Sequence, residues 1–217
     1  GVEIPLEEVP IIQKRLIQKA NASGKPVITA TQMLRSMVDA PRPTRAEASD
    51  VANAVLDGTD AVMLSEETAT GNYPVQAVHY MARIVGEAEK TYPRDRYLNM
   101  VPEKEISDSV TYAVCVLADH LDATAIIAPT QSGWTAMHIS RFRPRQPIIA
   151  FTPSLTTMRR LVLFRGIYPH LILDPRDTDD MIEKVSKRAV ETGDLSEGDL
   201  AVITAGQPVW VAGTTNM

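Results

Sequence analysis

Short β-branched runs alternate along this chain with longer segments of helical periodicity, a pattern typical of parallel α/β structure. Pro26 to Ala30 is a predicted strand with apolar residues on both faces, and Ala61 to Leu64 is the next predicted strand. The helical periodicity predicts helices over about 6–21, 44–57 and 73–90. Because only 5% of the residues are aromatic, the core between these elements must be aliphatic.

The segment from Gly1 to Lys90 contains too few strands to form a complete domain of this class. It holds about three β/α units, whereas a closed β/α barrel takes about 250 residues. Strands this apolar need cover on both faces and at both edges. We therefore expect residues 1–90 to form the last part of a parallel β/α barrel whose front portion precedes Gly1.

A second α/β series follows a break in the pattern. Residues 91–106 contain Pro93, Pro102 and several charged residues with weak periodicity, which predicts a linker. Beyond it, residues 107–217 are predicted to form a separate three-layer α/β domain. Its predicted strands cover 124–128, 147–151, 170–173 and 200–204, and its predicted helices begin near Ser107, Gly133, Ser154 and Thr178.

Charge and composition exclude several classes of protein. The formal net charge is −5, which is opposite to the basic balance of a nucleic-acid-binding protein. No apolar run approaches the length of a membrane span. The single cysteine, Cys115, excludes an internal disulfide and fits a reducing compartment. These observations predict a cytoplasmic protein that binds neither nucleic acid nor membrane.

Two hydroxyl residues follow the first two predicted strands. Thr31 and Ser65 each come just after a strand, at the level where parallel α/β folds place their active sites. Their hydroxyls could face one ligand, or they could simply cap loops. The adjacent Glu66 and Glu67 could hold a metal ion, although neighbouring carboxylates on a loop are more often only solvated.

Another candidate site lies in the second domain. The segment TQSGWT, from Thr130 to Thr135, follows a predicted strand and opens a predicted helix. Backbone amides at a helix start, together with hydroxyls and a glycine, favour phosphate binding. The alternative is that these hydroxyls only cap the helix.

Several long motifs resemble the pyruvate kinase family. They are KPVITATQML at 25–34, PRPTRAEASDVANAVLDG at 41–58, DAVMLS at 60–65, and YP at 73–74. The opening GVEIP and, in the second half, FRGIYP at 164–169 and GTTN at 213–216 are similar to the same family. The resemblance covers the whole chain but only the C-terminal part of the family pattern.

This resemblance implies phosphoryl transfer from phosphoenolpyruvate to ADP, giving pyruvate and ATP, with Mg²⁺ and K⁺ as cofactors. It implies that Thr31 binds the substrate carboxylate and that Ser65 belongs to the water network that protonates the enolate. The family's metal-binding carboxylates and its phosphoryl-stabilising lysine would lie upstream of Gly1, so we expect this chain alone to be inactive. Glu66 stands where many members have glycine, which would strain the loop if that position needed a positive φ.

The resemblance also implies an allosteric site in the second domain and a homotetramer in the full-length protein. The site would bind a sugar phosphate or nucleotide. Its expected residues are Thr130, Gln131, Ser132, Gly133, Trp134 and Thr135, with Gly206 and Gly213 in an opposing lid. The alternative is a stand-alone regulatory module that binds a phosphorylated metabolite without catalysis.

Overall fold

The chain divides into two compact units, Gly1–Pro93 and Arg94–Met217. A computed structural model describes residues 4–93, 100–173, 175–206 and 215–216. The opening residues 1–3 and part of the predicted linker, residues 94–99, lie outside the described residues. Each unit has its own parallel sheet and its own buried apolar residues, in one cluster in the first unit and two in the second.

The first unit combines a short parallel sheet with helices. Strands β1 (Ile28–Thr29) and β2 (Ala61–Val62) pair in parallel, with Thr29 opposite Val62. The helices are α1 (Val9–Ala22), α2 (Arg45–Asp57), α3 (Glu66–Ala69) and α4 (Pro74–Lys90), with 3₁₀ turns at Leu6–Glu8 and Arg35–Val38.

The ends of α2 and α4 follow directly from the local sequence. The Thr44 side chain accepts a hydrogen bond from the Glu47 amide, and the Glu47 carboxylate accepts one from the Thr44 amide, which forms a capping box. Gly58 ends α2 in the left-handed conformation, with φ 102°. Pro74 opens α4 at a position where its missing N–H has no helical partner to lose.

The core of the first unit lies between α2, α4 and the segment after β1. Its buried members are Met33, Leu34, Met37, Val51, Ala54, Ala77 and Met81. Helix α1 is only partly buried, because Ile17 and Asn21 are buried whereas Ile11 and Leu16 are exposed. The expectation that β1 is covered on both faces is not met within this unit, since Ile28 is 48% exposed.

The second unit is built on a four-stranded parallel sheet with the order β5-β4-β3-β6. The strands are β3 (Ala125–Pro129), β4 (Ile148–Thr152), β5 (Ile167–Leu171) and β6 (Ala201–Ile203). The helices are α5 (Ile106–His120), α6 (Trp134–Arg141), α7 (Leu155–Leu161) and α8 (Thr178–Glu191).

Alternating residues of the central strands belong to two separate apolar clusters, one on each face of the sheet. Ile126 and Ala128 of β3 face one cluster, which also contains residues of α5, α6 and α7. Ala125 and Ile127 face the other cluster, which contains Met181 and further residues of α8. The sheet therefore has helices on both faces, as a three-layer α/β domain requires.

Helix α5 buries a different face from the one its apolar pattern predicts. The repeat of Val110, Val114, Leu117 and Leu121 predicted the inner side, but Leu117 and Leu121 are exposed. The buried residues are Asp108, Thr111, Val114, Cys115 and Ala118. The inner face is thus lined by small and polar residues. Burial in this face raises the pKa of the Cys115 thiol, so the thiol stays protonated and unreactive.

Every helix within residues 4–93, 100–173 and 175–206 is too short or too polar to span a bilayer.

Candidate functional site

The first candidate site lies at the carboxyl ends of β1 and β2. Because these strands are parallel and Thr29 pairs with Val62, Thr31 and Ser65 both follow the same edge of the sheet. Thr31 is exposed and Ser65 is half-buried. Ser65 precedes the first residue of α3, but its side chain does not cap that helix. Neither hydroxyl is therefore buried in packed interior.

The backbone at the first of these strand ends is strained. Thr31 has a φ of 73° and Gln32 has a φ of 55°, and both values lie in the left-handed region. A β-branched residue rarely adopts this conformation, which costs about 1–3 kcal/mol. Strain of this kind is common at binding sites, where the surrounding structure holds a side chain in a particular direction.

A buried carboxylate connects the two strand-end loops. Glu67 is 1% exposed, and its Oε1 accepts a hydrogen bond of 3.0 Å from the Leu34 amide. Its Oε2 accepts one of 2.7 Å from the Ser65 amide. One side chain therefore fixes the segment after Thr31 relative to Ser65. Sequence reasoning missed this role, since nothing in the pattern distinguished Glu67 from its exposed neighbour.

The charged form of Glu67 is favoured despite its position. Burial opposes ionisation, but hydrogen bonds from the backbone amides of Glu67, Ser65 and Leu34, together with the charge of Arg35, outweigh it. The pKa of Glu67 consequently lies below its ordinary value.

Glu66 and Glu67 do not form a metal-binding pair. Glu66 forms an ion pair of 3.0 Å with Arg35 at the surface, whereas Glu67 is committed to backbone amides. Glu66 is also the first residue of α3 and has no positive φ, so this position does not need glycine. Within the described residues, no group of three or more His, Cys, Asp or Glu side chains could hold a metal ion.

We expect Glu67→Gln to lower the free energy of unfolding by about 1–3 kcal/mol at pH 7, because the amide cannot accept from both backbone donors without turning its NH₂ group toward one of them. The folded-state pKa of Glu67 is lowered, so its contribution is present above the ordinary glutamate pKa and is lost as pH falls through the folded value. The difference between the two proteins should therefore shrink in acid.

Urea denaturation at several pH values measures this difference. Glu66→Gln is the matched control, because it removes a neighbouring carboxylate whose ion pair is exposed and is worth about 0–1 kcal/mol. Equal effects of the two substitutions at pH 7 would contradict the role assigned to Glu67.

The second candidate site is the loop from Thr130 to Thr135, between β3 and α6. Gly133 has a φ of 85°, which favours glycine at this turn. The Thr130 hydroxyl accepts a hydrogen bond of 3.0 Å from the Gly133 amide, and the Ser132 hydroxyl accepts one of 3.4 Å from the Trp134 amide. The two hydroxyls thus accept from two successive backbone amides at the start of α6.

Two side chains of helix α7 donate hydrogen bonds to backbone carbonyls of the same loop. The Thr157 hydroxyl donates to the Gln131 carbonyl at 3.1 Å, and the Arg160 guanidinium donates to the Ser132 carbonyl. Sequence reasoning found no assured basic partner for a second phosphate at this loop. The Arg159-Arg160 pair in the last turn of a Ser154-capped helix was the signal that could have indicated one.

The C-terminal segment reaches the same loop. The hydroxyls of Thr135 and Thr215 are 2.6 Å apart, and Gly206 and Thr215 form an antiparallel bridge. Gly206, the first residue of the segment expected to form a lid, takes part in this bridge. Gly213 lies outside the described residues.

Comparisons with known proteins cover nearly all of the chain. Residues 1–78 match the family model for the barrel domain of pyruvate kinase, and residues 108–217 match the model for its alpha/beta domain. Pyruvate kinases of Clostridium acetobutylicum, Bacillus licheniformis and Geobacillus stearothermophilus are 50%, 51% and 51% identical to this chain over its whole length. The chain covers 46%, 37% and 38% of these three relatives.

These matches confirm the expected fold class, a partial parallel β/α barrel followed by a separate three-layer α/β domain. They also agree with the motifs that carry the resemblance in the sequence. The chain belongs to the pyruvate kinase family.

Proposed function

We propose that this chain supplies the C-terminal part of a pyruvate kinase, which transfers a phosphoryl group from phosphoenolpyruvate to ADP and releases pyruvate and ATP. Residues 1–90 would complete the catalytic barrel, 91–106 would link the domains, and 107–217 would bind a phosphorylated effector. The observation that carries the proposal is the carboxylate of Glu67, which holds the loops of Thr31 and Ser65 together at one edge of a parallel sheet. The enzyme would act in the cytoplasm as a homotetramer.

The two hydroxyls have distinct proposed roles. Thr31 donates a hydrogen bond to the carboxylate of phosphoenolpyruvate, and its strained backbone directs the side chain for that contact. Ser65 contributes to the water network that brings a proton to the enolate carbon after the phosphoryl group has left. Phosphoryl transfer requires mainly positioning of the reactants and neutralisation of charge. Uncharged residues such as Thr31 and Ser65 can contribute to the positioning.

Mg²⁺ and K⁺ are the proposed cofactors of the whole enzyme. The described residues do not fit a metal site of their own, because the carboxylates next to Ser65 are engaged by Arg35 and by backbone amides. Thr31 and Ser65 therefore act on the substrate in this proposal.

We expect the 217-residue chain alone to make no ATP from phosphoenolpyruvate and ADP in the presence of Mg²⁺ and K⁺. A chimera in which it replaces the matching segment of the Clostridium acetobutylicum enzyme should be active. Thr31→Ala in that chimera should lower kcat/KM for phosphoenolpyruvate by roughly tenfold or more, because it removes a hydrogen bond to a charged group. A coupled assay of pyruvate formation measures each protein.

Thr70→Ala is the matched control for this experiment, since Thr70 is an exposed threonine just after α3 whose hydroxyl donates to the Glu66 carbonyl. Unchanged kinetics of Thr31→Ala would remove Thr31 from the substrate site. A folded but inactive chimera would favour the alternative function, a regulatory module without catalysis.

For the second domain, we propose that the loop from Thr130 to Thr135 binds the phosphate of a sugar phosphate or nucleotide. Its support is the loop's place at the start of α6, where backbone N–H groups and the helix dipole favour an anion. Arg160 adds a guanidinium beside Ser132 that can assist in neutralising a phosphate.

A further inference from the structure

A buried ion pair joins helices α5 and α6 of the second unit. The side chains of Asp108 and Arg141 are only 5% and 6% exposed. Arg141 Nη2 donates to both carboxylate oxygens of Asp108, at 2.6 and 2.5 Å. The Glu103 amide, in the segment before α5, also donates to Asp108 at 2.6 Å. Asp108 is therefore held rigidly by groups from two elements.

His138 connects this ion pair to the loop. Its Nδ1 lies 3.4 Å from Asp108 Oδ1. Its ring stacks on Trp134, with ring centroids 3.7 Å apart and planes inclined by 18°. Trp134 is the first residue of α6 and belongs to the candidate loop, one helical turn before His138. A continuous set of contacts thus runs from Asp108 through the imidazole to the indole.

We propose that His138 is a proton-sensing residue that controls Trp134, so that protonation of the imidazole strengthens anion binding by the loop. The part concerning affinity rests on the proposed phosphate site, whereas the response of Trp134 does not. Protonation adds a positive charge on the helix that carries the loop, between a carboxylate and an aromatic face. Both neighbours attract a cation, which favours a tighter stack of the two rings.

The charged groups that face His138 come from each element around it. Asp108 of α5 and Glu103 of the preceding segment favour the protonated form, while Arg141 on α6 opposes it. Burial is the largest influence and also opposes protonation, so the pKa of His138 lies below its ordinary value. The imidazole is therefore neutral at pH 7.5 and gains its proton at a lower pH than an ordinary histidine does.

The fluorescence of Trp134 tests the first part of the proposal. The chain has two tryptophans, Trp134 and Trp210, so Trp210→Phe leaves Trp134 as the only indole. A protonated imidazole in contact with an indole quenches its emission. We expect the emission of this protein to fall as the pH is lowered from 8 to 5, with a single transition.

Three variants in the Trp210→Phe background identify the group that titrates. His138→Gln should abolish the transition, while His120→Gln, which removes an exposed histidine at the end of α5, should leave it unchanged. Glu103→Gln should move the midpoint to lower pH, because a negative charge that favours the imidazolium is lost. A transition that persists in folded His138→Gln, or that is missing from the parent protein, overturns the proposal.

Calorimetry with glucose 6-sulfate tests the effect on binding, because a sulfate monoester keeps its charge between pH 5 and 8. We expect binding to be roughly two- to tenfold tighter at pH 5 than at pH 7.5. This is the effect expected when one positive charge is added near a bound anion. His138→Gln should show no such difference. Equal affinities at the two pH values would overturn the link to binding. Failure to bind any phosphorylated or sulfated sugar would instead contradict the phosphate site. The fluorescence titration would still test the response of Trp134.

Discussion

Arg141→Ala is expected to lower the free energy of unfolding of the second unit by about 3–5 kcal/mol. Asp108 and Arg141 are almost completely buried and share two short hydrogen bonds. Removal of the guanidinium leaves a buried carboxylate without its main countercharge. The cost is the desolvation of that carboxylate, which the ion pair no longer offsets.

A double substitution distinguishes this explanation from simple loss of packing. Asp108→Leu combined with Arg141→Met replaces both charges by apolar groups and should recover most of the stability lost in Arg141→Ala. Arg145→Ala is the control, because Arg145 pairs with Asp119 and Asp122 at the surface and its loss should not be detectable. Urea denaturation followed by tryptophan fluorescence gives the comparison. Similar stabilities of Arg141→Ala and Arg145→Ala would show that the buried pair contributes little.

Gly133→Ala is expected to weaken the binding of phosphorylated ligands by roughly tenfold or more, equivalent to about 1.4 kcal/mol or more. The φ of 85° already disfavours any residue other than glycine. A Cβ at this position would also lie 3.1 Å from the Leu161 side chain and 3.2 Å from those of Arg160 and Thr157. The loop must then shift away from α7, and the free energy of unfolding should fall by about 1–3 kcal/mol.

Gly193→Ala separates the effect of backbone strain from that of the steric contact. Gly193 has a similar φ of 79°, but nothing lies within 4 Å of the place its Cβ would take. It should therefore destabilise the unit without affecting the loop. Calorimetry with fructose 1,6-bisphosphate, ribose 5-phosphate, glucose 6-phosphate and AMP measures binding. If the parent chain binds one of them and Gly133→Ala binds it equally well, the loop is not the site.

The elements that local chemistry determines could be predicted well from the sequence. The start of α2 follows from the reciprocal hydrogen bonds of Thr44 and Glu47, and the start of α4 follows from Pro74. Helix α8 begins at Thr178, as predicted, because the Asp177 side chain caps it. In each case the residues that decide the boundary are neighbours in the chain.

Strand β5 begins three residues earlier than predicted because of its place in the sheet. Pro169 lies within it, and a proline inside an apolar run argues against a central strand. The sheet order puts β5 at an edge, where a missing N–H is tolerated on the side without a partner. The order of strands is a tertiary property, so the local sequence could not reveal that this proline is acceptable.

The buried carboxylates were missed for a related reason. Asp108 and Glu67 lie in polar or charged stretches, and their burial depends on partners 33 residues away in each case, Arg141 and Leu34. The apolar repeat of α5 suggested a different inner face because no rule of periodicity anticipates a buried ion pair. At the candidate catalytic site, the positions of Thr31 and Ser65 after their strands followed from sequence, whereas the group that ties their loops together did not.

The short sheet of the first unit has a practical consequence for work with the isolated chain. Within residues 4–93, β1 and β2 pair with each other and with no further strand, and two strands alone are only marginally stable. Their outer edges can accept strands from other molecules, and the exposed Ile28 adds an apolar surface beside one of them. Intermolecular strand addition should therefore compete with the native state as the protein concentration rises, which makes dilute samples the appropriate ones for every measurement of stability.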